Sequence, residues 1–201
     1  WLNDFELVPL GDTREWDGTD WRETHNALPP PGGQDAAITY DAARGVTLAY
    51  GGYTLAGTQN SEISDLFMAW DGHQWIELTP PDPRPPALRR GLMAYDSERE
   101  VSVLYGGVTD EESGAGPAYT YNRVWEWDGA LWREIEVSVD APTSSSLSAL
   151  FYDPVAEIIV GVFKEEETSI LELWEWDGSA WTPRPGDNQM TAPTNSGGFS
   201  Y

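Results

Sequence analysis

One motif constrains the fold of this chain more than any other feature: Trp-Asp-Gly-x-x-Trp, which occurs four times. It reads Trp16-Asp17-Gly18-Thr19-Asp20-Trp21, Trp70-Asp71-Gly72-His73-Gln74-Trp75, Trp127-Asp128-Gly129-Ala130-Leu131-Trp132 and Trp176-Asp177-Gly178-Ser179-Ala180-Trp181. Self-similarity at a period of about 50 residues marks a repeat architecture, whose units bury their faces against their neighbours. Asp-Gly between β-forming residues is a strong hairpin signal, because a type I′ turn needs positive φ at both central positions. The motif therefore predicts a hairpin with Trp127 opposite Ala130. Side-chain alternation then groups Trp125, Trp127, Ala130 and Trp132 on one face. The same reasoning groups Trp174, Trp176, Ser179 and Trp181, and Met68, Trp70, His73 and Trp75. Indoles bury on the order of 150–250 Å² each, so the motif tryptophans are expected between units rather than in a ligand site.

A second pattern precedes each hairpin. Ala37-Ile38-Thr39-Tyr40-Asp41 is followed by Val46-Thr47-Leu48-Ala49-Tyr50-Gly51-Gly52, and Leu92-Met93-Ala94-Tyr95-Asp96 by Val101-Ser102-Val103-Leu104-Tyr105-Gly106-Gly107. Ala149-Leu150-Phe151-Tyr152-Asp153 and Ile158-Ile159-Val160-Gly161-Val162-Phe163 are the last pair. Short apolar runs bounded by turn residues read as strands. Each full unit thus holds four antiparallel strands.

Strand ending in Tyr-Asp, strand ending in Gly-Gly, then Trp-x-Trp-Asp-Gly-x-x-Trp: this series resembles the kelch repeat of the galactose-oxidase-like β-propellers, and it does so along essentially the whole chain. The resemblance implies an all-β fold, a β-propeller of four-stranded antiparallel blades forming one domain over residues 1–201. The units run approximately 1–26 (partial), 34–79, 88–137 and 146–183, with 197–201 as the first strand of a further or closing blade. The fourth unit has Gly161-Val162-Phe163 where Gly-Gly is expected. Two arrangements are open: a closed four-bladed ring, in which Gly198-Phe199-Ser200-Tyr201 completes the first unit, or a segment of a larger propeller with further blades in a parent chain. The absence of an initiator Met gives the expectation of a processed product or a piece of something longer.

Composition bounds the partners. With 34 acidic residues against 11 basic ones the formal charge is −23, and Lys164 is the single lysine. Such a surface repels phosphate backbones, so no nucleic-acid partner is expected. No apolar run reaches the ~18 residues of a membrane span, so no membrane insertion is expected. There is no cysteine, which excludes disulfides and thiolate chemistry. The expected setting is a secreted or cell-surface protein of bacterial style.

Strand order divides the molecule into two ends. Turns from first to second strand and from third to fourth share one end and are all tight. The other end holds the long connections: 53–64, 108–122, 164–169 and the Pro-rich crossings. Long loops on a rigid scaffold concentrate binding residues. The candidate binding set there is Tyr53, Arg89, Arg90, Tyr119, Tyr121 and Asn122, residue types favoured at recognition hot spots. Asp110-Glu111-Glu112 and Glu165-Glu166-Glu167 read as solvated loops rather than metal ligands.

Chemistry is sparse by comparison. Without cysteine the chain cannot form the Tyr-Cys cross-link of a copper radical oxidase. His25 and His73 lie in different units, which favours neither a zinc site nor a Ser-His-Asp constellation. No catalytic residue, metal or cofactor is expected. The sequence supports a non-enzymatic binding or assembly module recognising a protein or glycan through its long-loop end. The alternatives are a carbohydrate-active enzyme with a pocket at the ring centre, and structural blades of a larger surface protein.

Overall fold

A computed structural model of the chain describes residues 12–24, 34–54, 62–109, 119–137, 142, 147–164, 170–184 and 189–191. Among these residues every regular element is a strand. Strands β1 (Thr13–Trp16) and β2 (Trp21–Thr24) form a hairpin. Next come β3 (Ala37–Asp41) and β4 (Val46–Tyr50), a short ribbon of β5 (Tyr53–Thr54) and β6 (Glu62–Ile63), then β7 (Phe67–Trp70) and β8 (Trp75–Glu77). The next unit repeats this order as β9 (Leu92–Asp96), β10 (Val101–Tyr105), β11 (Val108–Thr109), β12 (Tyr119–Thr120), β13 (Val124–Trp127) and β14 (Trp132–Ile135). The last holds β15 (Leu147–Asp153), β16 (Ile158–Lys164), β17 (Ile170–Trp176), β18 (Trp181–Pro183) and β19 (Gln189–Thr191). The main sheets are antiparallel meanders, β3-β4-β7-β8, β9-β10-β13-β14 and β15-β16-β17-β18, and β19 adds to β17.

The hairpin register differs from the expected one. Trp16 faces Trp21, Trp70 faces Trp75, Trp127 faces Trp132 and Trp176 faces Trp181. The Asp128 N–H donates to the Leu131 carbonyl at 3.3 Å, so Gly129 and Ala130, not Asp128 and Gly129, are the central residues. Gly129 has φ +96°, and glycine in the first central place is what a type II′ turn requires. The aspartate instead caps the turn from its first corner, its Oδ1 accepting the N–H groups of Ala130 and Leu131 at 2.9 and 2.8 Å. The other three motifs repeat this arrangement. Ala130, Ser179 and His73 consequently sit in turns, outside the packed faces assigned to them from sequence.

Alternation along the strands builds two-sided sheets. On β10, Leu104 packs with Met93, Trp125, Trp127 and Trp132 against Leu48, Tyr50, Phe67 and Ala69 of the preceding sheet. Val103 and Tyr105 point the other way, with Val124, against Ile159, Phe163, Trp176 and Trp181 of the following sheet. The Trp pair of each unit thus packs on the unit before it: the Phe67 and Trp127 rings are 5.0 Å apart, and the Tyr105 and Trp181 rings 5.1 Å. Trp70 and Trp75 face the first hairpin, donating to Glu15 Oε1 at 2.6 Å and Thr13 Oγ1 at 2.8 Å. Six motif tryptophans are at most 7% exposed, whereas Trp16 and Trp21 are 54% and 61% exposed. The first strands lie together, with β9 between β3 and β15.

The fourth unit departs from the others where Gly-Gly is missing. Strand β16 runs on to Lys164 and pairs with β17 from Ile159–Trp176 through to Lys164–Leu171, so no separate ribbon forms. The extended start of β17 then offers Ile170–Glu172 to β19, in a stretch expected from sequence to be a crossing between units.

Candidate functional site

The two ends of the sheets differ as strand order dictates. At the tight-turn end, Arg44 in the β3–β4 turn pairs with buried Asp41 at 2.7 Å and donates across to the Asp128 carbonyl of the next unit. Arg99 in the β9–β10 turn likewise holds the aspartate of its own turn, Asp96, at 2.7 Å, and within its own unit it also holds Glu126 at 2.5 Å. It lies so close to the next motif turn that a Cβ on Gly178 would sit 2.5 Å from its Nη1. Ala156 takes this place in the fourth unit, and Asp153 is held instead by Arg184 at 2.7 Å. The turn carboxyls are already satisfied. Asp17, Asp71, Asp128 and Asp177 all lie below the usual carboxylate range, chiefly because the backbone N–H of the last residue of each turn donates to them. The described residues of this end form a latch between units.

At the other end the Gly-Gly pairs let backbones meet. A Cβ on Gly51 would lie 2.2 Å from the Leu88 carbonyl, and one on Gly107 2.9 Å from the Arg89 carbonyl. Tyr50 and Tyr105, just before each pair, donate their hydroxyls to the Pro85 and Pro142 carbonyls, fixing the crossings. Burial pushes the Tyr105 hydroxyl pKa up.

These contacts gather part of the sequence-derived set. Arg89 pairs in a β-bridge with Val108, and its guanidinium lies 5.0 Å above the Tyr53 ring. Arg90, at φ +59°, donates to Asp35 Oδ2 at 3.0 Å, with Arg89 3.8 Å from the same oxygen. Tyr53, Arg89 and Arg90 therefore form one cluster around Asp35, a residue the sequence did not single out. Tyr121 donates its backbone N–H to the Gly107 carbonyl at 2.8 Å. The Tyr119 side chain and both acidic runs fall outside the described residues, as does His25; Asn122 is exposed.

Tyr121 lines a groove of about 670 Å³ between the second and third units, with Asp65, Asp82, Arg84, Arg123, Trp125 and Glu134. One wall is the Pro-rich crossing, where Arg84 reaches Asp65 at 3.2 Å and Asp82 at 3.5 Å. The opposite wall is Arg123 donating to Glu134. The Trp125 indole N–H donates to the Tyr121 hydroxyl at 3.0 Å, tying the floor together. Arg123 and Glu134 were missed from sequence. Glu134 pairs with Trp125 across β13 and β14, and this pairing between strands, not a local pattern, sets it beside Arg123. Among the described residues no cluster of three or more His, Asp or Glu is arranged to hold a metal.

No family model matches the chain, and no curated protein does. Among solved structures, that of YjhT is similar, with a TM-score of 0.52 and 12% identity over 82% of this chain and 48% of that one. At this identity the likeness bears on fold alone. The chain spans about half the length of the YjhT chain.

Proposed function

We propose that this chain is a kelch-like β-propeller module, secreted or displayed at the cell surface, that binds a protein or glycan partner through its long-loop end and carries out no chemistry. The propeller reading is supported by the packing of successive sheets face to face with their first strands together, β9 between β3 and β15, as blades do around an axis. The observation that carries the binding reading is the groove beside Tyr121, a concavity at the end where strand order collects the long connections. Pockets of this volume suit a small ligand or the tip of a larger one.

Retention on immobilised protein from extracts of the native source tests this. The double substitution Tyr121→Ala/Arg123→Ala is expected to lower retention of a partner at least tenfold, while His73→Ala, at the opposite end, leaves it unchanged. A partner retained equally by both variants defeats the assignment of the face. Turnover in a glycan-hydrolysis screen, lost on Glu134→Gln, defeats the non-catalytic reading.

A further inference from the structure

We infer that the groove beside Tyr121 takes a neutral, polyhydroxylated ligand, a saccharide segment, with the Arg84–Asp65 and Arg123–Glu134 pairs as its hydrogen-bonding walls. This rests on the binding-module reading and narrows its ligand. Each wall presents donors and acceptors side by side. A guanidinium carries five N–H donors, and Arg84 uses its Nη2 and Nε on Asp65 and Asp82 at 3.2 and 3.5 Å. The remaining donors and carboxylate lone pairs stay solvated, since the Arg84 and Asp65 side chains are 43% and 48% exposed and that of Arg123 is 57% exposed. A sugar hydroxyl both donates and accepts, so vicinal hydroxyls match such a pair without breaking it.

Charge argues against the other ligand classes. The lining holds three carboxylates and two arginines, on a chain of net charge −23. An anion would meet an excess of negative charge, and an ammonium or metal ion, which that excess attracts, would have to displace the guanidiniums from the carboxylates they already pair with. An apolar ligand would strip water from all five charged groups and return no hydrogen bond. The floor completes the fit, because Trp125 donates to the Tyr121 hydroxyl at 3.0 Å and the half-buried Tyr121 ring, packed on the core, forms part of the groove's lining. The crossing that forms one wall is held by the Tyr50 hydroxyl on the Pro85 carbonyl, so the site is ordered before ligand arrives.

Calorimetry on the full chain tests this with cellotetraose, chitotetraose and mannotetraose as neutral probes, and a heparin-derived tetrasaccharide and spermine as charged ones. Saturable binding of a neutral probe is expected, weakened tenfold or more by Arg123→Met and by Asp65→Asn, and unchanged by His73→Ala. Both groove substitutions are at exposed side chains, and circular dichroism establishes that the variants are folded. Failure of all three neutral probes, tighter binding of a charged probe, or affinity that survives both substitutions overturns the inference. If the neutral probes fail while Tyr121→Ala/Arg123→Ala still abolishes retention of a protein from extract, the saccharide inference falls and the binding-module reading stands. If retention is also indifferent to that substitution, both fall.

Discussion

Glu126 is a charged side chain in a position that its neighbours fill with apolar contacts. It is 7% exposed, yet it accepts from Arg99 at 2.5 Å and from the Trp176 indole of the next unit at 3.2 Å. Its removal strands a buried N–H and half of an ion pair, so Glu126→Ala is expected to cost about 2–4 kcal/mol in urea unfolding. Glu126→Gln, which keeps an acceptor, is expected to cost less; equal losses would mean that the charge, not the indole bond, is what matters. The turn aspartates act through pH instead. Asp17, Asp71, Asp128 and Asp177 are held below their ordinary value of 3.8 by backbone N–H groups. The unfolded chain therefore takes up their protons first as pH falls, and the stability they contribute is full above 3.8 and lost below it. Urea midpoints should fall on acidification below about pH 4, and Asp71→Asn/Asp128→Asn should flatten that fall. An unchanged slope would show that other carboxyls dominate.

At the scale of the element, the same six-residue motif has different consequences in different units. Trp127 packs on Phe67 and is 5% exposed, whereas Trp16 is 54% exposed. Trp127→Ala is expected to cost about 3–5 kcal/mol as a core truncation, and Trp16→Ala about 0.5 kcal/mol as a surface change. Chemical denaturation of both variants checks this, and equal costs would mean that Trp16 is covered in solution. The contrast also shows what was legible in the sequence. Periodicity placed the strands, because apolar spacing and glycine positions are local properties. It misplaced the turn by one residue, because Asp-Gly satisfies both a type I′ turn and a glycine-first turn capped by aspartate, and only the hydrogen bond of Asp128 to Leu131 separates them. The groove was half legible. Tyr121 stood out as a loop residue, but Arg123 and Glu134 become neighbours only through pairing between β13 and β14. Arg89 and Tyr53 are engaged with each other, a contact between distant segments that no local pattern encodes.

For the whole molecule, charge is the controlling quantity, because 34 acidic residues against 11 basic ones must repel one another when the chain is compact. Salt acts on two opposed terms. It screens that repulsion over distances beyond about 8–10 Å, and it weakens ion pairs such as Arg14–Glu23 and Arg22–Asp17, which are exposed and worth little. The pairs that hold the latching arginines within their own turns are better shielded, since Asp41 is fully buried and the Asp96 side chain is 3% exposed. Repulsion should therefore dominate the response, and Tm should rise by several degrees between about 0.01 and 0.5 M NaCl. A fall in Tm would mean that the arginine latches carry more of the stability than the acidic surface removes. Saccharide binding should behave differently over the same range. A neutral ligand seated between paired charges neither gains nor loses a long-range attraction, so its Kd should stay within about twofold while Tm moves. A Kd that weakens steeply with salt would identify a charged partner and place the recognition outside the groove beside Tyr121.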